Sequence, residues 1–227
     1  MRAACIFGLW ISLAAFSAAP LAAQSAPQTQ IVDAIVVRIE DDVITLSELR
    51  ELAAYQQLLD GHSQGNDELR SELIEQWVVN NEATTTRFPL AAEAEVNREV
   101  TRVESNFPSP AAYQQRLQAV GLSEQSVRRM IARQIYLARY LDYKFRSSIQ
   151  VNDAAIADYY RDHLLPELQA KGQQAPPLSD VTDKIRELLI EQGVNDHTAA
   201  WFDETRPRLK IELEPMNAFT VSTAVKP

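Results

Sequence analysis

Three histidines, His62, His163 and His197, are the first residues to weigh for chemistry. No two stand in H-x-x-x-H spacing, so no helical zinc pair is formed. The lone cysteine, Cys5, sits among the first residues and leaves no thiolate elsewhere for a metal. A histidine does acid–base work only with partners in reach, and each of these reads as a surface residue. Phosphate-binding glycine loops, G-x-S-x-G elbows and dinucleotide fingerprints are missing. The acidic pairs Asp41/Asp42 and Glu93/Glu95 could be carboxylate dyads. Positions one and two apart do not face each other on a helix, however, and the first pair falls in a turn, so solvated charge is the simpler reading. The pattern indicates neither an enzyme nor a cofactor or metal.

Residues suited to binding concentrate in 124–147. Arg128, Arg129, Arg133, Arg139, Lys144 and Arg146 share this stretch with Met130, Tyr136, Tyr140 and Tyr143. One reading pairs the cations with acidic neighbouring helices and places the aromatics in the core. The other makes the stretch an amphipathic binding wall, because Met and Tyr adapt to varied partners and Arg hydrogen-bonds exposed carbonyls.

The 227 residues suffice for one domain, 46% of them hydrophobic and only 6 of them glycine, which favours helices over a many-turned β protein. A net charge of -9 argues against nucleic-acid binding, which needs clustered Lys and Arg. Residues 1–23 read as a secretory signal peptide: Arg2, an apolar run over 3–16, small residues, and a cleavage site near Ala23. The run is shorter than the roughly 20 residues of a spanning helix, and no other run reaches that length, so no stable membrane insertion is expected after cleavage. The exported chain would carry no cysteine and would depend on packing alone. The expected compartment is the periplasm.

The elements follow in order. Residues 24–33 form a Gln/Ser/Pro-rich leader. A strand at 34–39, an acidic turn at 40–42 and a short strand at Val43-Ile44 precede Thr45, an N-cap with Glu48 at the capping-box position. Helices are expected at 46–60, 67–83, 91–106, 110–120, 124–147, 153–163 and 179–204. Their punctuation is the 61–65 break, Phe88-Pro89, Ser109-Pro110, Gly121, and the caps Ser123, Asn152 and Ser179. The prolines of 164–178 predict an internal loop, and Gly193 predicts a kink in the last helix. Residues 208–213, RLKIEL, alternate like a strand, and 214–227 read as a loose tail. A hairpin alone is marginal, so RLKIEL is the natural third strand.

The order of these signals resembles the SurA-type periplasmic chaperones. The matching stretches are Val43-Ile44-Thr45-Leu46-Ser47-Glu48-Leu49, Leu73-Ile74-Glu75-Gln76, Gly121-Leu122-Ser123 between two helices, the run 151–160, and the closing helix with RLKIEL. No motif is strong alone; their order over 34–213 carries the resemblance. It implies a mainly α, SurA/trigger-factor-like peptide-binding domain of about seven helices, with a small hairpin joined by a C-terminal strand. It also implies an ATP-independent holdase for unfolded or extended polypeptides, such as outer-membrane protein precursors. The family's parvulin isomerase domain has no room between 163 and 179. A peptidyl-prolyl isomerase or a non-catalytic subunit of an envelope complex are the alternatives. Candidate peptide-binding residues are Trp77, Phe107, Tyr113, Met130, Tyr136 and Tyr140, each of which could equally be core.

Overall fold

The computed structural model describes residues 33–215; the expected signal peptide, most of the expected leader and the expected tail from 216 lie outside the described residues. Strands β1 (Ile35–Ile39), β2 (Asp42–Thr45) and β3 (Ile211–Leu213) form one antiparallel sheet in the order β2-β1-β3. The expected closure of the two ends is present: Arg38 is the direct partner of both Val43 and Glu212. A register shift at Ile35/Val37 accompanies burial of both Val36 and Val37, neighbours that a regular strand would send to opposite faces.

The acidic turn is present, and within it Glu40 adopts positive φ (50°). Strand β3 holds it there: the Glu40 N–H donates to Lys210 O at 3.0 Å, and the Lys210 N–H donates to Glu40 Oε1 at 2.8 Å. Likewise Glu214 is no loose tail residue. Its N–H donates to Val36 O at 3.1 Å, which extends the ladder past β3.

Seven helices follow the hairpin: α1 (Leu46–Asp60), α2 (Asn66–Thr85), α3 (Glu93–Ser105), α4 (Pro110–Val120), α5 (Glu124–Phe145), α6 and α7 (Leu178–Thr205). α6 is continuous through Asp153–Tyr159, a π-helical turn at Tyr160–Leu164, and Leu165–Ala170. The capping box is formed as read: Thr45 Oγ1 accepts from Glu48 N–H, and Thr45 N–H donates to Glu48 Oε2. Ser109, Ser123 and Asn152 also cap as expected.

Three local expectations are corrected. The loop expected over 164–178 shrinks to 171–177, because α6 continues through Pro166. The π turn, with Leu165 N–H donating to Tyr160 O, widens the helix ahead of the ring that would otherwise clash there. Ser179 does not cap α7; Pro177 holds the N-cap position and Ser179 Oγ donates to Asp180 Oδ1. Gly193 does not break α7. A Cβ on Gly193 would stand 2.9 Å from Ile149 Cγ2, so this glycine lets the α5–α6 connection press against the helix.

Replacing Gly193 with Ala sets the roughly 1 kcal/mol gain in helix propensity against overpacking, which costs about 1–3 kcal/mol against a stiff β-branched neighbour. Gly193→Ala is expected to destabilise in urea melts, and Ile149→Ala in the same chain to convert it into a stabilising change. A Gly193→Ala chain more stable than wild type would contradict the close contact.

The core has three parts. The sheet packs on α1 and the first half of α2 through Val36, Val37, Ile39, Leu49 and Ile74. The far end of α1 packs with α3, α4 and α5 through Tyr55, Val96, Val103, Tyr113, Leu117 and Ile131. The last turns of α2 pack on α5 through Val79, Ala83, Tyr136, Leu137 and Tyr140, with Trp201 and Phe202 of α7 beside them. Within α1 Leu58 is buried and Leu59 exposed, and in α5 Ala138 is exposed while Tyr136, Leu137 and Tyr140 are buried. No helix of the described residues is long and apolar enough to cross a membrane.

Candidate functional site

Residues 77, 78, 81, 82 and 85 fall on one face of α2 by helical spacing, as do 201 and 205 on α7. These two faces, with Leu209 just before β3, enclose an open groove of about 310 Å³. Its walls are Trp77, Val78, Trp201 and Leu209, and its polar rim is Asn81, Glu82, Thr85 and Thr205.

Both tryptophans are held from behind. The Trp77 indole N–H donates to Asp42 Oδ2 at 2.9 Å, which fixes the ring against the hairpin. Trp201 stacks on Phe202 with centroids 5.2 Å apart and tilts against Phe145 at 6.0 Å. The Lys144 ammonium lies 4.7 Å from the Trp201 ring centroid and pairs with Glu82 at 2.6 Å. A cation on an indole face is favourable, so Lys144 joins α5, α2 and α7 behind the groove while neutralising Glu82.

Five of the six basic residues of 124–147 follow the first of the two readings, and Arg133 does not. Arg128 pairs with Glu93, Arg129 with Glu51, Arg139 with Glu95, Lys144 with Glu82, and Arg146 with both Asp142 and Glu187. Exposed pairs of this kind contribute about 0–1 kcal/mol each, so they set helix orientation more than stability. Arg133, with Met130, Gln134, Glu48, Glu51, Leu52, Leu73 and Gln76, borders a recess of only about 40 Å³ between α1, α2 and α5, little more than a water's share of liquid volume.

The six residues singled out from sequence are not brought to one cleft. Trp77 lines the groove. Tyr113, Tyr136 and Tyr140 are core residues, Tyr113 only 2% exposed. Phe107 is half-buried against Tyr113 with centroids 5.2 Å apart, and Met130 is half-buried where two core parts meet. Trp201, which also lines the groove, was not singled out. Its one sequence signal is composition: of three tryptophans, Trp10 falls in the stretch read as a signal peptide and the other two line the groove.

Groups that could react are otherwise engaged. Ser148 Oγ donates to Phe145 O at 2.7 Å and meets His197 Nδ1 at 3.3 Å, so its proton points to a carbonyl rather than to the imidazole. His163 stacks on Tyr159, and His62 lies beside Asp60 O. Among the described residues no group of three or more His, Cys, Asp or Glu could hold a metal ion.

Two carboxyls elsewhere on α2 are perturbed. Burial raises Glu72 above its ordinary 4.5, opposed by donors from Gln76 and Gln56 and reinforced by the like charge of Glu75. Burial also raises Glu75, opposed by Arg206. A carboxyl whose folded pKa is raised costs nothing below its unfolded pKa, and its full cost appears once pH rises through the folded value. Glu72→Gln removes that cost, so its stability relative to wild type should be more favourable at pH 7 than at pH 4 in urea melts. A difference that is flat across this window would contradict the burial effect.

No protein-family model matches the chain, and no curated protein matches it.

Proposed function

We propose that this is an exported, ATP-independent holdase of the SurA-like, peptide-binding kind, which receives extended segments of non-native polypeptide in the groove between α2 and α7. The periplasm is its proposed compartment, and outer-membrane protein precursors are the proposed clients. The single observation that carries the reading is the presence of both Trp77 and Trp201 in the lining of one open groove of about 310 Å³. Ligand pockets run from roughly 300 to 1,000 Å³, so this groove suits one large apolar side chain and the backbone on either side of it. Asn81, Thr85 and Thr205 supply side-chain polar groups for backbone amides. Such a site discriminates by apolarity and extension rather than by sequence, which is what a holdase needs.

The end-to-end closure of the sheet and the order of the helices agree with the architecture that the resemblance implies. Only residues 171–177 link α6 to α7, where SurA-type chains carry a parvulin domain. That favours holding over prolyl isomerisation.

With the signal peptide removed, Trp77 and Trp201 are the tryptophans that remain, so their emission reports on the groove alone. Titration with a reduced, alkylated client lacking tryptophan should shift the emission to shorter wavelength and saturate without ATP. An emission spectrum unchanged at client excess would contradict the groove as the binding site. Acceleration of a proline peptide in a protease-coupled assay would move the chain to the isomerase class.

A further inference from the structure

The C-terminal end of α2 is built in a way that the groove does not require. The Arg87 N–H donates to Thr84 O and the Phe88 N–H donates to Ala83 O, the paired bonds of a Schellman ending. The residue between them must take left-handed φ, a position that glycine fills without strain. Here it is Arg87, with φ 55°. The chain therefore keeps a long cationic side chain where the backbone favours none.

The chain after Arg87 is apolar and only partly buried. Phe88 lies among Tyr136, Tyr140 and Tyr143, with ring centroids 5.9, 5.3 and 5.3 Å away. Tyr143 is 70% exposed and Leu90 79% exposed, the two most open large hydrophobics among the described residues. The Arg139 guanidinium spans the corner, 5.7 Å from the Phe88 ring centroid and donating to Leu90 O at 3.3 Å.

The carboxylates of Glu82, Glu93 and Glu95, which flank the corner in sequence, are each paired with another cation. Glu95 is held by Arg139 and Glu82 by Lys144, while no carboxylate of the described residues pairs with Arg87. The net charge of -9 repels an acidic ligand at long range, but salt screens this beyond roughly 8–10 Å. At contact, a carboxylate meets an uncompensated guanidinium.

We infer that the corner between α2 and α3 is a docking surface for an extended peptide segment that carries a carboxylate beside an apolar side chain. Leu90, Tyr143 and the Phe88 edge receive the apolar group, and Arg87 receives the carboxylate. Residues held in sparsely populated backbone conformations cluster at ligand sites. The inference stands apart from the groove, and holds whether or not the groove takes a client.

The test uses two labelled peptides, one alternating glutamate with leucine and phenylalanine, the other with lysine in place of glutamate. Binding is followed by anisotropy on the signal-cleaved protein. Wild type should prefer the glutamate peptide at least about five-fold. Arg87→Gly should unfold at higher urea, because the strain is relieved, and should bring the two peptides close to parity. Leu90→Ser combined with Tyr143→Ser should weaken both. An Arg87→Gly chain that retains the five-fold preference, or a Leu90→Ser/Tyr143→Ser chain with unchanged affinities, overturns the inference. Groove failure is read separately, from the tryptophan emission with a denatured client.

Discussion

Glu212→Pro should lower the unfolding free energy by roughly 2–3 kcal/mol, a large share of the 5–15 kcal/mol typical of a domain. Arg38 and Glu212 are direct antiparallel partners, flanked by the Glu40 N–H to Lys210 O bond on one side and the Glu214 N–H to Val36 O bond on the other. Bonds alternate along an antiparallel ladder, so this central pair is the one that exchanges both N–H groups. Proline removes the Glu212 donor and leaves the Arg38 carbonyl unpaired next to the buried Val37 and Ile39. Glu212→Thr keeps the donor and should cost little, since the position is exposed. Urea unfolding of the three chains decides it. A Glu212→Pro midpoint equal to wild type would mean that the chain's ends are not joined through β3.

The closure of the ends was legible because each part carries a local signal. Val43-Ile44 and RLKIEL show strand composition, and Thr45 with Glu48 marks where the hairpin stops and α1 starts. The caps Thr45, Ser109, Ser123 and Asn152 were equally legible, since a cap is decided within four residues, whereas Ser179 is displaced because the last helix starts earlier, after Pro177. The misses share a different origin. Pro166 stays helical because of a π turn that no residue type announces, and Gly193 is explained by Ile149, which is distant in sequence. The aromatics of α5 could not be divided between core and surface from periodicity alone. Tyr136 and Tyr140 face α2, whereas Tyr143, one turn on from Tyr140, is open. The groove is harder still, because Trp77 and Trp201 stand far apart in sequence and come to line one groove only in the folded chain.

The second large effect is expected at Trp201. Truncating a large aromatic at the centre of a binding surface costs 2 kcal/mol or more, which is about thirty-fold in affinity. Trp201→Ala should therefore weaken client binding by at least about ten-fold, even allowing for a client that shifts along the groove. Trp201 also touches Phe145 and Phe202, so loss of packing must be separated from loss of binding. Lys144→Met serves this purpose. It removes the cation behind the ring and frees Glu82 into the groove, leaving both indoles in place. It should weaken client binding, though less than Trp201→Ala does, because the freed Glu82 carboxylate adds an uncompensated charge to the groove rim, with the circular dichroism spectrum unchanged. Trp77→Ala is less clean, because Trp77 also tethers the hairpin through Asp42. Equal client affinity in wild type and a folded Trp201→Ala chain would exclude the groove.

The most direct test of the account is light scattering from a chemically denatured client diluted into buffer with the signal-cleaved protein at a few-fold excess and no nucleotide. The account predicts delayed and reduced aggregation, with the protection largely lost in Trp201→Ala. Aggregation that proceeds at the same rate with and without the protein would contradict the claim that this chain holds non-native polypeptides.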